Sequence, residues 1–425
     1  MIKLFSYCFT ALIMASVFAS CNDEGSPTGQ LVGNKNRMSY TAPAPLGMVW
    51  VPSGTMHMGV SDQDMKNGND AKNRQVQVFG FWMDATEVTN SEYRQFTDYC
   101  RDSITHVVLG DMKSLDDGSE IVDFKKKIKW GSDDVNDAMA AYYIPANQSI
   151  TGKKEFDNLG KLVYKYDYID YDAMARADSR TARSQFIKPL VTYVYPDTTV
   201  WVKQFSQAYN EPIAQQYNWF KAFDEYPVVG VNWKQTQAFN NWRTVSWRNY
   251  RYTKKKYTES EFRLPTEAEW EWAARGGRQQ SPYPWGGPYV VNKKGCYLAN
   301  FKPNRGNYSA DGGLYTVKAT AYWPNDYGLY NMSGNVAEWT QSPYIANAYG
   351  TTADMSPDVR LKVSDSDPLY FKRKVVRGGS WKDVQYYLQV STRDYEYMDT
   401  AKSYIGFRSI LPQIATALTN KSPKR

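Results

Sequence analysis

The sequence predicts an α+β fold built from short helices and strands with much irregular chain between them. Three stretches carry apolar residues at helical spacing, whereas other short runs are alternating or uniformly apolar, as strands are. Glycine and proline, at 28 and 20 residues, recur between these runs and mark turns. Helices and strands in no regular alternation are typical of α+β architecture. With 42% hydrophobic residues in 425, the chain can bury a sizeable core.

The first 20 residues predict a cleaved export signal. Lys3 supplies a positive charge, residues 4–18 form an apolar run, and small residues precede Cys21. This pattern resembles the signal of bacterial lipoproteins, in which the cysteine becomes the acylated first residue of the mature chain. We therefore expect Cys21 to carry the lipid. The alternative is an ordinary signal peptide in which Cys21 is incidental.

Residues 21–45 contain several glycines, serines and prolines and predict a flexible tether between the lipid and a folded domain. The domain is expected to span residues 46–412. Within it, the apolar run 48–51 indicates a first strand, and the alternation over 76–81 indicates another. No run after the signal reaches the apolar length of a membrane span, so the lipid would be the anchor.

The first helix is predicted to begin at Thr89 or Asn90, either of which can cap it. Cys100 then falls on its apolar face, which favours a packed thiol over a nucleophile. Cys8 leaves with the signal, so Cys100 and Cys296 are the thiols that remain beyond Cys21. They form one disulfide in an oxidising compartment or stay free, and the sequence leaves both open.

Two further helices have start signals. Asn232 opens one of them. Thr266 and Glu269 form a capping box for the other, which Gly276 and its neighbouring glycine end. Both are amphipathic, so we expect each to bury one face.

Residues 103–225 interrupt this rhythm and predict an insertion. They hold a mixed-charge stretch, a tyrosine-dense stretch and a strand-like run over 190–202. Their aromatic density suits a contact surface, although a self-packed decoration is the alternative. The polar tail 413–425 is expected to fray.

Composition excludes several classes of function. The net charge of +7 comes without a dense basic block, which argues against nucleic acid as a partner. Two histidines leave little for multi-histidine metal sites or serine and cysteine hydrolases. Phosphate-binding glycine motifs and the HExxH metal motif are absent from the sequence.

Seven ordered motifs resemble the formylglycine-generating enzyme, or sulfatase-modifying factor, family. They cover residues 47–54, 81–90, 226–233, 263–271, 327–339, 377–381 and 406–408. The resemblance implies the family's fold, which is similar to that of C-type lectins, here with a long insertion. Fold alone does not give function, because one fold hosts many activities.

The family's enzymes are copper-dependent oxidases with two cysteines between the Gly-Gly-Ser and Gly-Phe-Arg motifs. Copper(I) prefers soft thiolate ligands. Counting back from Arg393, which matches the arginine before the last motif, these positions fall at about Gln385 and Val390. No cysteine follows Cys296. The resemblance therefore implies no copper, no catalytic residues and a non-catalytic relative.

The resemblance also implies two calcium sites, each combining side-chain oxygens with backbone carbonyls. The second uses the side chains of Asn331 and Glu338 and the carbonyls of Gly334 and Val336. The first uses the side chains of Asn300 and Asp311 and the carbonyls of Phe301 and Gly313. Calcium prefers such hard oxygens. The alternative is that Asn331 and Glu338 only hydrogen-bond the loop backbone.

A closer resemblance is to the GldK/PorK lipoproteins of the type IX secretion and gliding motility machinery. It rests on the lipoprotein signal that ends at Cys21 (the lipobox), the tether, residues 86–96 and 101–104, and the insertion before Tyr226. It implies a structural lipoprotein on the periplasmic face of the outer membrane. The chain would self-associate into a ring and bind a GldN/PorN-type partner and other secretion-system subunits. The gliding lipoprotein GldJ shares the domain.

Two other functions fit the residues. The same fold could serve as a calcium-dependent glycan- or protein-binding module. Alternatively, Glu267 and Glu271, one helical turn apart, could act as the acid/base pair of a glycosidase. Carboxylates at this spacing usually form a solvated helix face, so the sequence favours that interpretation over catalysis.

Overall fold

The computed structural model describes residues 44–60, 70–114, 118, 120–148, 154–178, 180–207, 210–254, 260–303 and 305–412. The predicted signal, Cys21, most of the tether and the tail 413–425 lie outside the described residues. The described part mixes helices and strands with long irregular connections, which confirms the predicted α+β class.

The strands are short. They are β1 Met48–Val51, β2 Gly54–Met58, β3 Arg74–Val78, β4 Phe81–Asp84, β5 Met112–Ser114, β6 Glu120–Val122, β7 Tyr143–Ile144, β8 Glu155–Phe156, β9 Val163–Ile169, β10 Ile187–Tyr193, β11 Ala337–Pro343, β12 Arg373–Arg377, β13 Asp394–Tyr397, β14 Ile405–Gly406 and β15 Ile410–Pro412.

The helices differ widely in length. They are α1 Asn90–Val108, α2 Asp133–Ala138, α3 Asn158–Lys161, α4 Tyr171–Arg176, α5 Val200–Gln204, α6 Pro212–Gln216, α7 Trp233–Thr253, α8 Glu267–Arg275 and α9 Ala348–Thr351. Single 3₁₀ turns occupy Ala140–Tyr142, Arg183–Phe186, Lys221–Phe223, Leu369–Lys372 and Gln385–Leu388.

Two sheets organise the domain. The first has the order β1-β4-β15 and is antiparallel, so the first and last described strands pair with the same neighbour. The second has the order β13-β12-β11-β14, with β14 parallel to β11. The other strands form four separate hairpins: β2-β3, β5-β6, β7-β8 and β9-β10.

The three predicted helix starts are correct. Thr89 caps α1, Asn232 caps α7 and Thr266 caps α8, each in a capping box. Gly276 ends α8 in the left-handed region at φ 59°, where a side chain would be strained. Helices α1 and α7 have 19 and 21 residues and are longer than the short helices that the sequence predicted. Helix α1 also continues past residue 103, the predicted start of the insertion.

Two predicted strands have different bounds. The run 76–81 is split between β3 and β4. Gly80, between the two strands, lies so close to the Trp50 ring that a Cβ there would be 2.5 Å from it. The run 190–202 ends as a strand at Tyr193 and becomes helical from Val200. Apolar runs of this length do not distinguish strand from helix by periodicity.

Helix α8 lies in the centre of the core, and all nine of its residues are buried. Trp270 and Ala273 pack with residues of β2, β3 and β4. A second cluster joins α1 and α7 around Phe96, Phe239 and Trp339. A short helix buried on every side needs partners for each polar side chain it carries.

The two cysteines of the described residues are free. Cys100 is buried in α1, as its position on the apolar face predicted, whereas Cys296 is exposed. Burial raises the pKa of the Cys100 thiol well above its ordinary value. Of the two alternatives that the sequence left open, the structure has the unpaired one. Within the described ranges, the helices lack the combination of length and apolar character that crossing a membrane requires.

Candidate functional site

The carboxylates of α8 are buried and paired with arginines from distant parts of the chain. Glu267 is 5% exposed and Glu271 is fully buried, so the predicted solvated helix face is wrong. The Arg393 guanidinium binds Glu267 through Nε at 2.6 Å and Nη2 at 3.0 Å. Tyr349 donates its hydroxyl to Glu267 at 3.1 Å. Sequence spacing could not reveal this, because Arg393 lies 126 residues from Glu267 in the sequence.

Glu271 is held by two arginines and a backbone amide. Arg275 donates to Oε1 from Nη2 at 2.6 Å, and Gly59 N–H donates to the same oxygen at 2.9 Å. Arg377 donates to Oε2 in a short contact. The Glu271 carboxylate therefore has partners on both oxygens, which leaves it unsuited to move a proton in an acid/base pair.

The neighbouring arginines keep the Glu267 carboxylate ionised. Burial raises the pKa of Glu267, but Arg393 and Arg377 outweigh it and hold the pKa below its ordinary value. A glycosidase needs one carboxylic acid that stays protonated near neutral pH. The geometry and the charge of this cluster are those of a buried structural network.

The loop before β11 holds the predicted second calcium site. Asn331 Oδ1 is buried and has no hydrogen-bond partner among the described residues, as a metal ligand would be in the absence of the ion. Glu338 differs, because Arg408 donates to both of its oxygens and Trp270 Nε1 donates at 2.7 Å. An arginine already neutralises that carboxylate, so the donor set fits calcium only in part.

The predicted first calcium site is better assembled. Asn300 is 1% exposed, and its Oδ1 has no partner among the described residues. A Cβ built on Gly313 would lie 2.9 Å from this oxygen, so the Gly313 backbone passes close beside it. The Asp311 carboxylate accepts from Phe301 N–H at 2.6 Å and Gly313 N–H at 3.2 Å. The four predicted residues therefore converge, with one carboxylate and one unsatisfied amide oxygen.

Sequence reasoning missed two residues that connect these loops. Glu87 is fully buried and accepts from Asn331 Nδ2 at 3.1 Å and Asn335 Nδ2 at 3.0 Å. Asn335 Oδ1 in turn accepts from Asn300 Nδ2 at 3.3 Å. Burial raises the pKa of Glu87 to about 8, although the nearby Arg408 opposes the change. Positions 87 and 335 lie inside the family motifs, and this was the only signal that could have singled them out.

The two positions that the resemblance assigns approximately to the family's copper ligands are Gln385 and Val390, and their side chains differ in character. Gln385 is exposed in a 3₁₀ turn, and Val390 is fully buried in the core around α8. Val390 has no donor atom in its side chain, and its carbonyl accepts from Arg377 Nη1 at 3.0 Å. These residues do not fit a copper(I) centre, which needs thiolate donors.

A cavity of about 170 Å³ lies beside this segment. Its polar lining includes Lys382, Asp383 and Asp394. The Lys382 ammonium lies 3.6 Å from the centre of the Tyr404 ring, which also lines the cavity. Burial raises the pKa of Asp383 and lowers that of Lys382. Within the part of the chain that the structure describes, no cluster of three or more His, Cys, Asp or Glu is placed to hold a metal. The arrangement suits binding of a polar group and lacks a nucleophilic thiol.

The domain is similar to known proteins over most of its length. Residues 35–412 match the Sulfatase-modifying factor enzyme 1-like domain. The Formylglycine-generating enzyme of Mus musculus is 24% identical over 386 residues, which cover 89% of this chain and 79% of that protein. The Inactive C-alpha-formylglycine-generating enzyme 2 of Bos taurus is 34% identical over 190 residues, covering 43% of this chain and 50% of that protein.

One solved structure, PvdO from Pseudomonas aeruginosa, aligns with a TM-score of 0.47 and 16% identity, over 86% of this chain and 94% of that chain. The two sequence relatives, from Mus musculus and Bos taurus, are a protein named as an enzyme and one named as inactive.

Proposed function

The chain belongs to the Sulfatase-modifying factor enzyme 1-like family, and we propose that it is a non-catalytic member of that family. The observation that carries the proposal is Val390, which the resemblance matches approximately to one of the enzymes' thiols and which is an apolar core residue. Gln385, at the other position, is exposed and has no thiol either. A named inactive relative among the similar proteins is compatible with this reading.

Copper binding and peptide oxidation test this part of the proposal. The purified protein is incubated with copper(I) under reducing conditions, and bound copper per chain is measured after desalting. A formylglycine-generating enzyme from the family serves as the positive control, with a cysteine peptide that this enzyme oxidises. We expect no stoichiometric copper and no change in peptide mass. Stoichiometric copper or oxidised peptide would show that the protein is catalytic.

The finer proposal is that the protein is a structural lipoprotein of the GldK/PorK type in type IX secretion and gliding motility. The lipobox at Cys21 supports attachment to the outer membrane, on its periplasmic face. Several acyl chains on one cysteine hold a protein far better than a single chain does. In this role the chain would self-associate into a ring and bind a GldN/PorN-type partner and other secretion-system subunits.

The hairpin β9-β10 supports a contact role for the insertion. Ile187 pairs with Ile169 across the hairpin, and both are exposed on its outer face. Val191 and Tyr193 continue the same face at 55% and 59% exposure. Exposed apolar rows of this kind are unusual on a solvated surface and are typical of an interface.

Particle mass tests the scaffold. The protein is solubilised from native outer membrane in mild detergent, and its companions are identified by mass spectrometry. We expect a megadalton-class assembly with one stoichiometric partner, and loss of that partner in Val191→Asp. The matched control is Tyr289→Asp, an exposed residue outside the insertion. A lone monomer would contradict the scaffold and favour the calcium-dependent glycan- or protein-binding module.

We also propose that calcium stabilises the loops around Asn300 and Asn331. Their unsatisfied amide oxygens and the Asp311 carboxylate support it. The ion would hold the loops together by bridging groups distant in sequence.

A further inference from the structure

One face of the sheet β1-β4-β15 lies outside the core around α8. Successive residues of a strand point to opposite faces of its sheet. Val51 and Met83 therefore pack in the core around α8, whereas Met48, Trp82 and Leu411 form a separate small cluster on the other face. Met48 begins β1, so this second face lies close to the point at which the predicted tether joins the domain.

Helix α7 packs on this cluster and ends in aromatic and basic residues. Trp247 of α7 contacts the cluster. Tyr250 and Lys254 follow it at i+3 and i+7, which places them on the same side of the helix. The Tyr250 ring stacks on the Trp247 ring with 5.9 Å between the ring centres, and the Lys254 ammonium lies 5.8 Å from the centre of the Tyr250 ring. A row of aromatic rings therefore leads from the sheet to the C-terminal end of α7.

The outer side of this row is open to solvent. Tyr250 is 55% exposed, and Leu46, at the predicted start of the domain, is 91% exposed. Trp50 is 37% exposed, and its ring centre lies 5.3 Å from that of Trp82. We call the surface formed by Leu46, Trp50, Tyr250 and Lys254 the tether face. Large apolar side chains that are exposed together mark a contact surface.

The charges beside the tether face leave one cation without a counter-ion. Arg243 binds Asp84 at 2.8 Å, and Arg248 binds Glu261 at 3.0 Å. Lys254 has no carboxylate partner among the described residues. Tyrosine and tryptophan rings lie at the headgroup level of a bilayer, and a lysine beside them is attracted to the lipid phosphates. The chemistry of the tether face is therefore complementary to a phospholipid surface.

The predicted tether brings such a surface within reach. It runs from Cys21 to the first residues of the domain, and residue 44 is the first that the structure describes. A flexible chain of this length has a root-mean-square span of about 25 Å. With the lipid of Cys21 in a membrane, the bilayer is thus present at a high effective concentration beside the tether face, so even a weak contact is occupied.

We infer that the tether face binds the phospholipid surface of the membrane in which the chain is anchored. Leu46, Trp50 and Tyr250 lie at the headgroup level, and Lys254 binds phosphate. The contact fixes which side of the domain faces the membrane, which a flexible tether alone does not. The inference rests on the proposed lipid anchor and adds a second contact to it.

Hydroxyl-radical footprinting tests the contact residue by residue. The full mature chain is inserted through its lipid into preformed vesicles of phosphatidylethanolamine and phosphatidylglycerol, at low protein density. Mass spectrometry then measures the acyl groups on Cys21 and the oxidation of each side chain. The reference is Cys21→Ser, the same chain free in solution. Tyr289 and Trp323, at 72% and 85% exposure, are internal controls, since neither belongs to the cluster beneath the tether face.

We expect Leu46 and Tyr250 to be protected from oxidation on vesicles, while Tyr289 and Trp323 are oxidised as fast as in solution. Lys254→Glu should weaken the contact about fivefold or more, because each lysine near an anionic surface contributes about that factor. The matched control is Lys293→Glu, the same change of charge at an exposed lysine outside the tether face, and it should keep the protection.

Four results would overturn the inference. Unprotected Leu46 and Tyr250 on an acylated chain would leave the lipid anchor standing and remove the surface contact. Protection that grows with protein density in the vesicles would assign the tether face to a second copy of the chain. Equal protection in Lys254→Glu and Lys293→Glu would contradict the phosphate contact. A Cys21 without acyl groups would contradict the anchor itself, and the inference with it.

Discussion

Glu271 and Arg377 lie 106 residues apart in the sequence and form an ion pair in which neither side chain is exposed. The pair joins α8 to β12 through the middle of the core. Arg275 holds the other oxygen of Glu271, so the carboxylate is fully satisfied. A buried pair of this kind contributes little net stability when it is intact, yet removing one partner is costly because the other charge stays buried.

Arg377→Met should therefore lower the free energy of unfolding by about 3–5 kcal/mol. Urea denaturation followed by tryptophan fluorescence measures the change. The matched control is Arg278→Met, which removes an exposed pair with Asp326 and should cost less than about 1 kcal/mol. Equal losses in the two variants would show that the buried network is not what holds α8.

Stability should fall as pH rises from 5 to 8, because of Glu87. Its folded pKa of about 8 lies above its unfolded value, so the folded state holds a proton that the unfolded state has released in this range. The loss is at most about 5 kcal/mol, since one unit of pKa difference is worth about 1.4 kcal/mol. Thermal unfolding across the pH series measures it in the presence of EGTA.

Glu87→Gln should flatten that profile between pH 5 and 8, since the amide does not titrate. The variant Glu225→Gln, at an exposed carboxylate paired with Lys318, is the control and should leave the slope in place. A profile in Glu87→Gln as steep as in the wild type would assign the pH dependence to another group.

Calcium should raise the melting temperature, because it binds the folded loops and not the unfolded chain. At a concentration 100 times its Kd the gain is about 2.7 kcal/mol. Asp311→Asn removes the carboxylate of the first site and should reduce the gain in melting temperature. Asp326→Asn should leave that gain unchanged. If EGTA and calcium give the same melting temperature in the wild type, the loops are held by hydrogen bonds alone.

Val390 and Gln385, the two positions that the resemblance assigns to copper ligands, should respond differently to the same substitution. Val390→Ser removes apolar packing and buries a hydroxyl, which should cost about 2–4 kcal/mol. Gln385→Ser, at an exposed position, should change stability by less than about 0.5 kcal/mol. Urea denaturation of both variants compares them. Similar small effects would mean that Val390 is not packed as core.

Thiol titration separates the fates of the cysteines. In the folded mature protein only Cys296 should react, because Cys100 is 1% exposed and burial raises its pKa. After unfolding, two thiols should react if Cys21 is acylated through its sulfur. Three reactive thiols would show that Cys21 is unmodified. If neither Cys100 nor Cys296 reacted after unfolding, the two would be joined in a disulfide.

Local sequence determined the starts of α1, α7 and α8, and the end of α8 at Gly276. The capping boxes at Thr89, Asn232 and Thr266 are contained within a few residues each, so their hydrogen bonds are readable without the rest of the chain. Motifs determined the family, because membership depends on residue identity along the chain. The absence of cysteine after Cys296 is likewise read from the sequence alone. The burial of Cys100 also followed from its helical position.

Tertiary structure alone decided what the charged residues do. Spacing placed Glu267 and Glu271 on one face of α8 and predicted that solvent would cover it, but arginines from β12 and the segment before β13 cover it instead. In the same way, Arg408 binds the Glu338 carboxylate, which the loop motif predicted to be a calcium ligand. Arg408 and Glu338 lie 70 residues apart in the sequence. A buried charge is stable only with a partner, and here each partner is supplied by chain distant in sequence.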